Sequence, residues 1–167
     1  MANADDQIHS DIVAMLPRLR RFARALAGQA ADADDVVQIA VERALRRLDQ
    51  FEEGTKLDSW LYSIVRNAWI DEARARARRG KIFAPAEAGE RLGDESAAAV
   101  HARLDVQDLS AAMQTLPQEQ REAVALVCVE GLSYRDAAET LAVPIGTLTS
   151  RLARGRETLQ AILGGVA

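Results

Sequence analysis

The chain is poor in cysteine and in aromatic residues. Of its 167 residues only Cys128 is a cysteine, and Phe, Trp and Tyr together make up 4%. A single cysteine excludes an intrachain disulfide, which is typical of proteins in a reducing compartment. Because Cys128 stands inside the apolar run AVALVCV, we predict that it is a small buried hydrophobic residue. The abundance of Ala, Leu, Arg and Glu beside so few aromatics favours helices over strands.

The sequence also lacks the patterns of membrane insertion, secretion and catalysis. No apolar run approaches the roughly 20 residues that span a bilayer, and the opening MANADDQIHS has no signal-peptide character. The two histidines, His9 and His101, are isolated, and neither a phosphate loop nor metal-ligand spacing is present. We therefore predict a cytoplasmic protein that makes no membrane contact of its own. We expect no catalytic residue, no metal and no cofactor.

Apolar residues recur at steps of three and four through most of the chain. This spacing predicts helices over 8–27, 32–48, 59–79, 100–115, 118–130, 133–141 and 145–163. We expect Asp58 or Ser59 to cap the third helix and Ser133 the sixth. The stretch KIFAPAEAGERLGDESAAAV has proline, glycine and no clean period, which is typical of a linker. The prediction is an all-α protein of two small helical domains, 8–80 and 104–164, joined by a flexible linker over 81–103.

Charge is distributed unevenly along the chain. The net charge is −4, but six cations against two acids give residues 66–81 a charge of +4, which leaves −8 for the rest. The cations are Arg66, Arg74, Arg76, Arg78, Arg79 and Lys81. A basic stripe on an acidic protein points to a local nucleic-acid contact more than the average charge does.

Polar residues on the third predicted helix fall on one face. Spacings of four, three and four align Asn67, Asp71, Arg74 and Arg78. Four of the seven aromatic residues lie just before them, within 51–69, and aromatics beside a basic track are the usual arrangement for binding single-stranded nucleic acid. The alternative is that Trp60 and Tyr62 belong to the core. In that case the arginines only complement the dipole at the C-terminus of the helix.

The stretch GLSYRDAAETLAVPIGTLTSRLARGRE, residues 131–157, predicts two short helices around a tight corner. Helical spacing directs five residues of the second helix to the core: Leu148, Leu152, Gly155, Leu159 and Ile162. Small polar residues and arginine on the other side are typical of a helix-turn-helix that reads DNA. An ordinary helical hairpin with a solvated face explains the same pattern.

Three stretches together resemble a known family: DADDVVQIAVERAL, LDSWLYSIVRNAWIDEARARARR and LPQEQREAVALVCVEGLSYRDAAETLAVPIGTLTSRLARGRETL. They are similar to the extracytoplasmic-function sigma factors, the bacterial sigma-70 relatives that keep only domains 2 and 4. The resemblance covers nearly the whole chain in order. It implies a promoter-specificity subunit of RNA polymerase, used in stress responses, with no catalysis of its own. It also implies control by an anti-sigma factor wedged between the two domains.

The resemblance implies roles for particular residues. Asp35 and Gln38 match the region that docks on the β′ clamp helices of core polymerase, while domain 4 meets the β flap. The loop at 49–59 matches the loop that captures a flipped-out base of the promoter's −10 element, and the linker would thread toward the RNA exit path. The stripe of Asn67, Asp71, Arg74 and Arg78 matches the helix that contacts the −10 element. The implied −35 contacts are Tyr134, Arg135, Thr149, Ser150, Arg151 and Arg154.

Two positions depart from the family pattern. Members often have a basic residue where Thr149 stands, and some have an aromatic residue where Ala153 stands. The alternative function is a stand-alone helix-turn-helix regulator, which predicts a dimer and tight operator binding without polymerase. The low cation count of 131–157 favours a module that is positioned by polymerase, because phosphate affinity scales with the cations presented.

Overall fold

The computed structural model describes residues 3–52, 54–80 and 97–164, and every regular element in those ranges is helical. The order is α1 Ala4–Ala27, α2 Ala30–Arg46, a 3₁₀ turn Leu48–Gln50, α3 Leu57–Arg78, α4 Ala97–Thr115, α5 Gln118–Val124, a π turn Ala125–Val129, α6 Tyr134–Leu141 and α7 Ile145–Gly164. The all-α prediction is confirmed. Most of the predicted linker, 81–96, lies outside the described residues.

The N-terminal domain is a three-helix unit of α1, α2 and α3. Its core contains the apolar positions predicted from helical spacing, including Phe22, Val36 and Val65, which are fully buried. Phe22 and Tyr62 meet edge to face with ring centroids 5.1 Å apart, a favourable geometry for two aromatic rings. Tyr62 is therefore a core residue, as the second interpretation of the aromatic cluster predicted.

Gly28 ends α1 and lets α4 approach. It takes the left-handed conformation at φ 79°, and its N–H donates to the carbonyl of Arg24, which is the usual glycine stop of a helix. A Cβ atom at this position would lie 2.8 Å from the Gln114 side chain on α4. The amide of Gln114 in turn donates to the carbonyl of Ala25 at 3.2 Å. A single glycine thus ends the helix and makes room for a contact between the domains.

The C-terminal domain packs α5, α6 and α7 around small residues. Gly155 lies where α7 crosses α5, and a Cβ there would stand 2.7 Å from Cγ2 of Val124. Ala137 and Ala138 of α6 are buried, as is Leu148 of α7. Small side chains at such crossings allow close approach of the helix axes.

Three local predictions are wrong. Helix α3 begins at Leu57 after Lys56, while the Asp58 carboxylate accepts from the neighbouring N–H of Ser59 instead of capping the helix. Ile162, expected in the core, is exposed. Cys128 is also exposed, because the π turn at Ala125–Val129 rotates the following side chains away from the predicted face.

The two domains pack against each other, and Arg121 of α5 lies at the junction. Its guanidinium donates to the carbonyl of Leu26 at the end of α1 at 2.8 Å, and to carbonyls of Met113, Gln114 and Leu116 at 3.0–3.1 Å. Burial lowers the pKa of Arg121. Carbonyls at helix ends have no partner within the helix, so this one side chain satisfies the ends of both α1 and α4.

Candidate nucleic-acid interface

The predicted polar stripe on α3 is exposed to solvent. Asn67, Asp71, Arg74 and Arg78 are all exposed. The opposite side of α3 is buried through Leu61, Val65 and Ala68. Asp71 also accepts from Arg43 of α2 at 2.8 Å, so one member of the stripe is anchored to the neighbouring helix. The stripe is one continuous polar surface that a nucleic acid can reach.

The positive field around this stripe is weaker than the cation count suggested. Arg76 is mostly buried and pairs with Asp32 at 2.7 Å and Glu72 at 3.1 Å. The hydrogen bond to Asp32, with a further one to Glu72, raises the pKa of Arg76. Arg66 pairs with Glu122 of α5 at 3.0 Å, and Lys81 lies outside the described residues. Arg74 and Arg78 therefore carry most of the positive charge that this helix offers to a ligand.

The loop before α3 presents a partly exposed aromatic pair. The rings of Phe51 and Trp60 lie 5.1 Å apart and tilted, and both side chains are half-buried. Between them Gly54 takes φ 98°, a turn that favours glycine. Lys56 reaches across to α6, where its Nζ lies 2.7 Å from the Asp136 carboxylate. The described part of the loop thus presents aromatic surface, and Lys56 at its end is ion-paired with the other domain.

A capped helix-turn-helix is present in the C-terminal domain. The Ser133 hydroxyl accepts from the N–H of Asp136 at 3.0 Å, which confirms the predicted cap of α6. The corner is made by Ala142, whose left-handed φ of 53° is unusual for a residue other than glycine. Sequence reasoning missed this position, because alanine does not signal a left-handed corner as glycine does.

The outer face of the helix-turn-helix carries the predicted contact residues. Arg151 is half-buried and the others are exposed: Tyr134, Arg135, Thr149, Ser150 and Arg154. Arg135 pairs with Glu139 at 3.3 Å within α6. The Thr149 hydroxyl donates to the carbonyl of Ile145 at 2.8 Å, which leaves it only acceptor capacity toward a ligand. Arg154 is the side chain best placed to grip a base edge with two donors.

The predicted docking residues on α2 also face solvent. Asp35 and Gln38 are exposed, and their spacing of three places them on one side of the helix. Ala33, Val36 and Val37 fill the core on the other side. A carboxylate and an amide are thus presented together on the solvent-exposed side of α2.

A groove runs between the two domains along α1, α4, α5 and α7. Its apolar lining includes Met113 and Leu159, and the exposed Leu109 contributes as well. Five arginines line it and, among the described residues around it, no acid does: Arg20, Arg21, Arg24, Arg121 and Arg156. Arg21 is already paired with Glu130, and Arg121 donates to backbone carbonyls, so the positive rim of this apolar trough consists of Arg20, Arg24 and Arg156.

Metal-binding clusters and membrane-spanning helices are absent from the described ranges. No group of three or more His, Cys, Asp or Glu side chains there could hold a metal ion. In the same part of the chain no helix is both long and apolar enough to cross a bilayer.

Comparison with known proteins supports the division into two conserved parts. Residues 12–79 match the family model of sigma-70 region 2, and residues 107–159 match that of sigma-70 region 4. The chain is 40% identical over 158 residues to the ECF RNA polymerase sigma factor EcfG of Rhodopseudomonas palustris, covering 95% of this chain and 86% of the relative. It is 37% identical to the ECF sigma factor SigE of Mycolicibacterium smegmatis, over 86% of this chain and 56% of that protein.

A solved structure shares the whole fold. The sigma factor RpoE of Bartonella quintana, crystallised with the anti-sigma factor NepR, superposes with a TM-score of 0.81 at 34% identity, over 95% of this chain and 97% of that one. Both parts of the helical architecture thus have counterparts in one family. The chain belongs to the extracytoplasmic-function sigma factors of the sigma-70 family, the alternative sigma subunits that bind core RNA polymerase and direct it to promoter DNA.

Proposed function

We propose that the two exposed polar faces read the two promoter elements. The α3 stripe, with Asn67, Asp71, Arg74 and Arg78, contacts the −10 element, and the loop at 49–59 receives a flipped base. The −35 element is read by Tyr134, Arg135, Thr149, Ser150, Arg151 and Arg154. The observation that carries this assignment is that each domain has one such face opposite its core. Flipping costs a few kcal/mol per base, which stacking of the base on the partly exposed Phe51–Trp60 pair would offset.

Polymerase is bound through α2 and through domain 4 in the same proposal. Asp35 and Gln38 bind the β′ clamp helices, and domain 4, residues 104–164, binds the β flap. The linker at 81–103 connects domain 4 to domain 2, residues 8–80. The protein has no catalysis of its own and works in the cytoplasm. Family membership and the exposure of the α2 residues support this view.

An anti-sigma factor is the proposed regulator, with the groove between the domains as its binding site. The relative RpoE was crystallised with an anti-sigma factor. Here the groove has an apolar floor, five arginines and no acid among its described lining residues. Charge complementarity therefore selects an acidic amphipathic helix as the occupant.

The direct experiment is transcription reconstituted from purified parts. The full chain added to core polymerase should start transcription at a cognate promoter, and the chain alone should bind that DNA weakly. A tight footprint without polymerase would instead support the stand-alone regulator. The exposed faces offer few unpaired cations for such unaided binding, since Arg66 and Arg76 are already ion-paired.

Arg154→Ala should weaken recognition of the −35 element by about 1–3 kcal/mol, because a bidentate arginine contact to a base is worth that much. The measurement is holoenzyme binding to promoters with intact or scrambled −35 sequence. Arg20→Ala is the matched control, since Arg20 is also an exposed arginine but lies on α1 of the other domain. Equal effects of the two substitutions would show that the recognition face is misassigned.

Arg74→Ala and Arg76→Ala should have opposite kinds of effect. Arg74 is exposed, so its loss should weaken the binding of holoenzyme to promoter DNA. The slope of log affinity against log salt concentration should fall by the amount expected for about one phosphate contact. Arg76 is ion-paired and mostly buried, so its loss should cost about 1–3 kcal/mol of unfolding free energy instead. Salt titrations of DNA binding and urea unfolding distinguish them. A reduced salt slope in the Arg76 variant would contradict the assignment.

A further inference from the structure

Thr149 lies on the exposed face of α7 with its hydroxyl proton already bonded. The hydroxyl donates to the carbonyl of Ile145, one turn earlier, at 2.8 Å, and the residue itself is exposed. A threonine hydroxyl has one proton and two acceptor lone pairs. Because the proton points back along the helix, the oxygen offers only lone pairs to a molecule that approaches from outside. Thr149 is therefore an acceptor on a face whose arginines are donors.

Two neighbours of Thr149 on this face have very short side chains. Gly146 stands three residues before it and Ala153 four residues after it, and both are exposed. A Cβ atom at Gly146 would meet nothing within 4 Å. A threonine hydroxyl extends only one bond beyond its Cβ, so it touches a base edge only where the helix backbone comes close to the floor of the groove. The major groove admits an α-helix, and the short neighbours allow this close approach.

The four bases differ in what they present to such an acceptor. In the major groove adenine N6 and cytosine N4 carry amino groups that donate, while guanine O6 and thymine O4 are acceptors. To contact O6 or O4, Thr149 would have to turn its proton outward and give up its hydrogen bond to the carbonyl of Ile145. The net worth of one such bond corresponds to a factor of about 2 to 10 in affinity. The hydroxyl thus favours amino-bearing bases by about that factor.

A contact with the DNA backbone is the alternative role for Thr149, and the state of its hydroxyl disfavours it. Phosphate oxygens are negatively charged and only accept hydrogen bonds, so they repel a lone pair that points outward. Arg135 and Arg151 lie on the same helix-turn-helix, and their charged donors suit phosphate far better. The acceptor on this face is therefore matched to a base and not to the backbone.

We propose that Thr149 determines specificity at one position of the −35 element, where its hydroxyl oxygen accepts from the amino group of an adenine or a cytosine. It selects these two bases over guanine and thymine. Ala153 is a positioning residue, because its short side chain lets Thr149 come within reach of the base. The proposal rests on the proposed function, since it assigns a class of base to a face that is itself proposed to read the −35 element.

The test compares all four base pairs at every position of the −35 element. The full chain is combined with core polymerase, and the relative affinity of the holoenzyme for each promoter variant is measured by competition. The unaltered protein should prefer adenine or cytosine at one position by about 2- to 10-fold. Thr149→Val keeps the shape of the side chain but has no hydroxyl, so the preference at that position alone should disappear. Thr149→Ser restores the hydroxyl and should restore the preference.

Thr158→Val is the matched control. It makes the same substitution on α7 nine residues further along, which is on the opposite side of the helix, and it should leave every base preference unchanged. Thr149 is exposed, so both valine variants should keep the fold, which circular dichroism and urea unfolding check. Ala153→Leu should hold the helix away from the groove floor and remove the preference that depends on Thr149, although the hydroxyl is still present.

A change of base chemistry in the DNA isolates the contact. Purine in place of the selected adenine, or 2-pyrimidinone in place of the selected cytosine, removes only the amino group. This change should cost the unaltered holoenzyme about 2- to 10-fold more affinity than it costs the Thr149→Val holoenzyme, and the comparison cancels any effect on the duplex itself.

Three results separate the inference from the proposed function. A uniform loss of affinity in Thr149→Val at all promoter variants would indicate a backbone contact and would overturn the inference, as would a Thr149-dependent preference for guanine or thymine. If Thr149→Val changes no base preference but a scrambled −35 element still weakens binding of the unaltered holoenzyme, the proposed function stands without the inference. If scrambling has no effect, the assignment of the −35 face itself is wrong.

Discussion

Replacing Asp35 by arginine is expected to abolish binding to core polymerase while leaving the fold intact. Asp35 is exposed on α2, and its neighbour Val36 points into the core with 0% exposure. A charge pair at an interface loses about 2–5 kcal/mol when one partner is removed, and reversal adds repulsion. The expected loss of affinity is therefore at least about 100-fold. Titration of labelled core polymerase with the purified sigma factor measures it.

Asp34→Arg is the matched control for that experiment. Asp34 is exposed, lies on the same helix and makes the same change of charge, but it projects about 100° further round the axis. The control should keep core affinity within about threefold of the unaltered protein. Circular dichroism and urea unfolding should give the same fold and stability for both variants. Equal losses of core affinity in both variants would mean that binding depends on the overall charge of α2 and not on Asp35 itself. Normal binding by Asp35→Arg would refute the docking site.

The helices and both polar faces could be predicted because they depend on local patterns. Apolar residues every three or four positions placed Phe22, Val36 and Val65 in the core, and the structure confirms them. Ser133 could be recognised as a cap because the bond it makes lies within four residues. The exposure of Asp35 follows from the same periodicity. These features need no knowledge of what packs against them.

The contact between the domains could not be predicted from the sequence. Arg21 and Glu130 are 109 residues apart, and the sequence places Glu130 just before Gly131, where a charged residue is ordinarily solvated. Arg66 and Arg76 were counted as part of a nucleic-acid surface because each follows the basic pattern, yet both are ion-paired. An arginine that can contact DNA differs from one that stabilises the fold through an ion pair only in which residues lie near it in space. Spacing along the chain does not report those neighbours.

The π turn explains the error at Cys128. Prediction assumed 3.6 residues per turn through AVALVCV, but the winding from Ala125 to Val129 widens to bonds five residues apart. One extra residue per turn moves the side chains that follow by about 100°. Cys128 therefore emerges into solvent beside the groove, while Glu130 turns inward toward domain 2. The sequence has no proline or glycine inside this turn that would have signalled it.

Gly155→Val should cost about 3 kcal/mol of unfolding free energy in the full chain. A Cβ at this position would stand 2.7 Å from Cγ2 of Val124 and 3.5 Å from the carbonyl oxygen of Gln120. Valine in a helix has one strongly preferred rotamer, so Val124 cannot swing away. The helices α5 and α7 must move apart instead, and overpacking of this kind costs about 1–3 kcal/mol or more. Replacement of a glycine in a helix interior is normally expected to stabilise the protein, because most other residues have a higher helix propensity.

Gly146→Val in the same helix isolates the steric effect. A Cβ there would meet nothing within 4 Å, so the substitution should change stability by less than about 0.5 kcal/mol, or raise it slightly. Shortening the opposing side chain should relieve the clash, and Val124→Ala combined with Gly155→Val should be more stable than the two separate losses predict. A coupling of about 1 kcal/mol or more in that cycle supports direct contact. Since α7 carries Arg154, a Gly155→Val protein that still folds should also lose −35 recognition, while it keeps the contact of Asp35 with core polymerase.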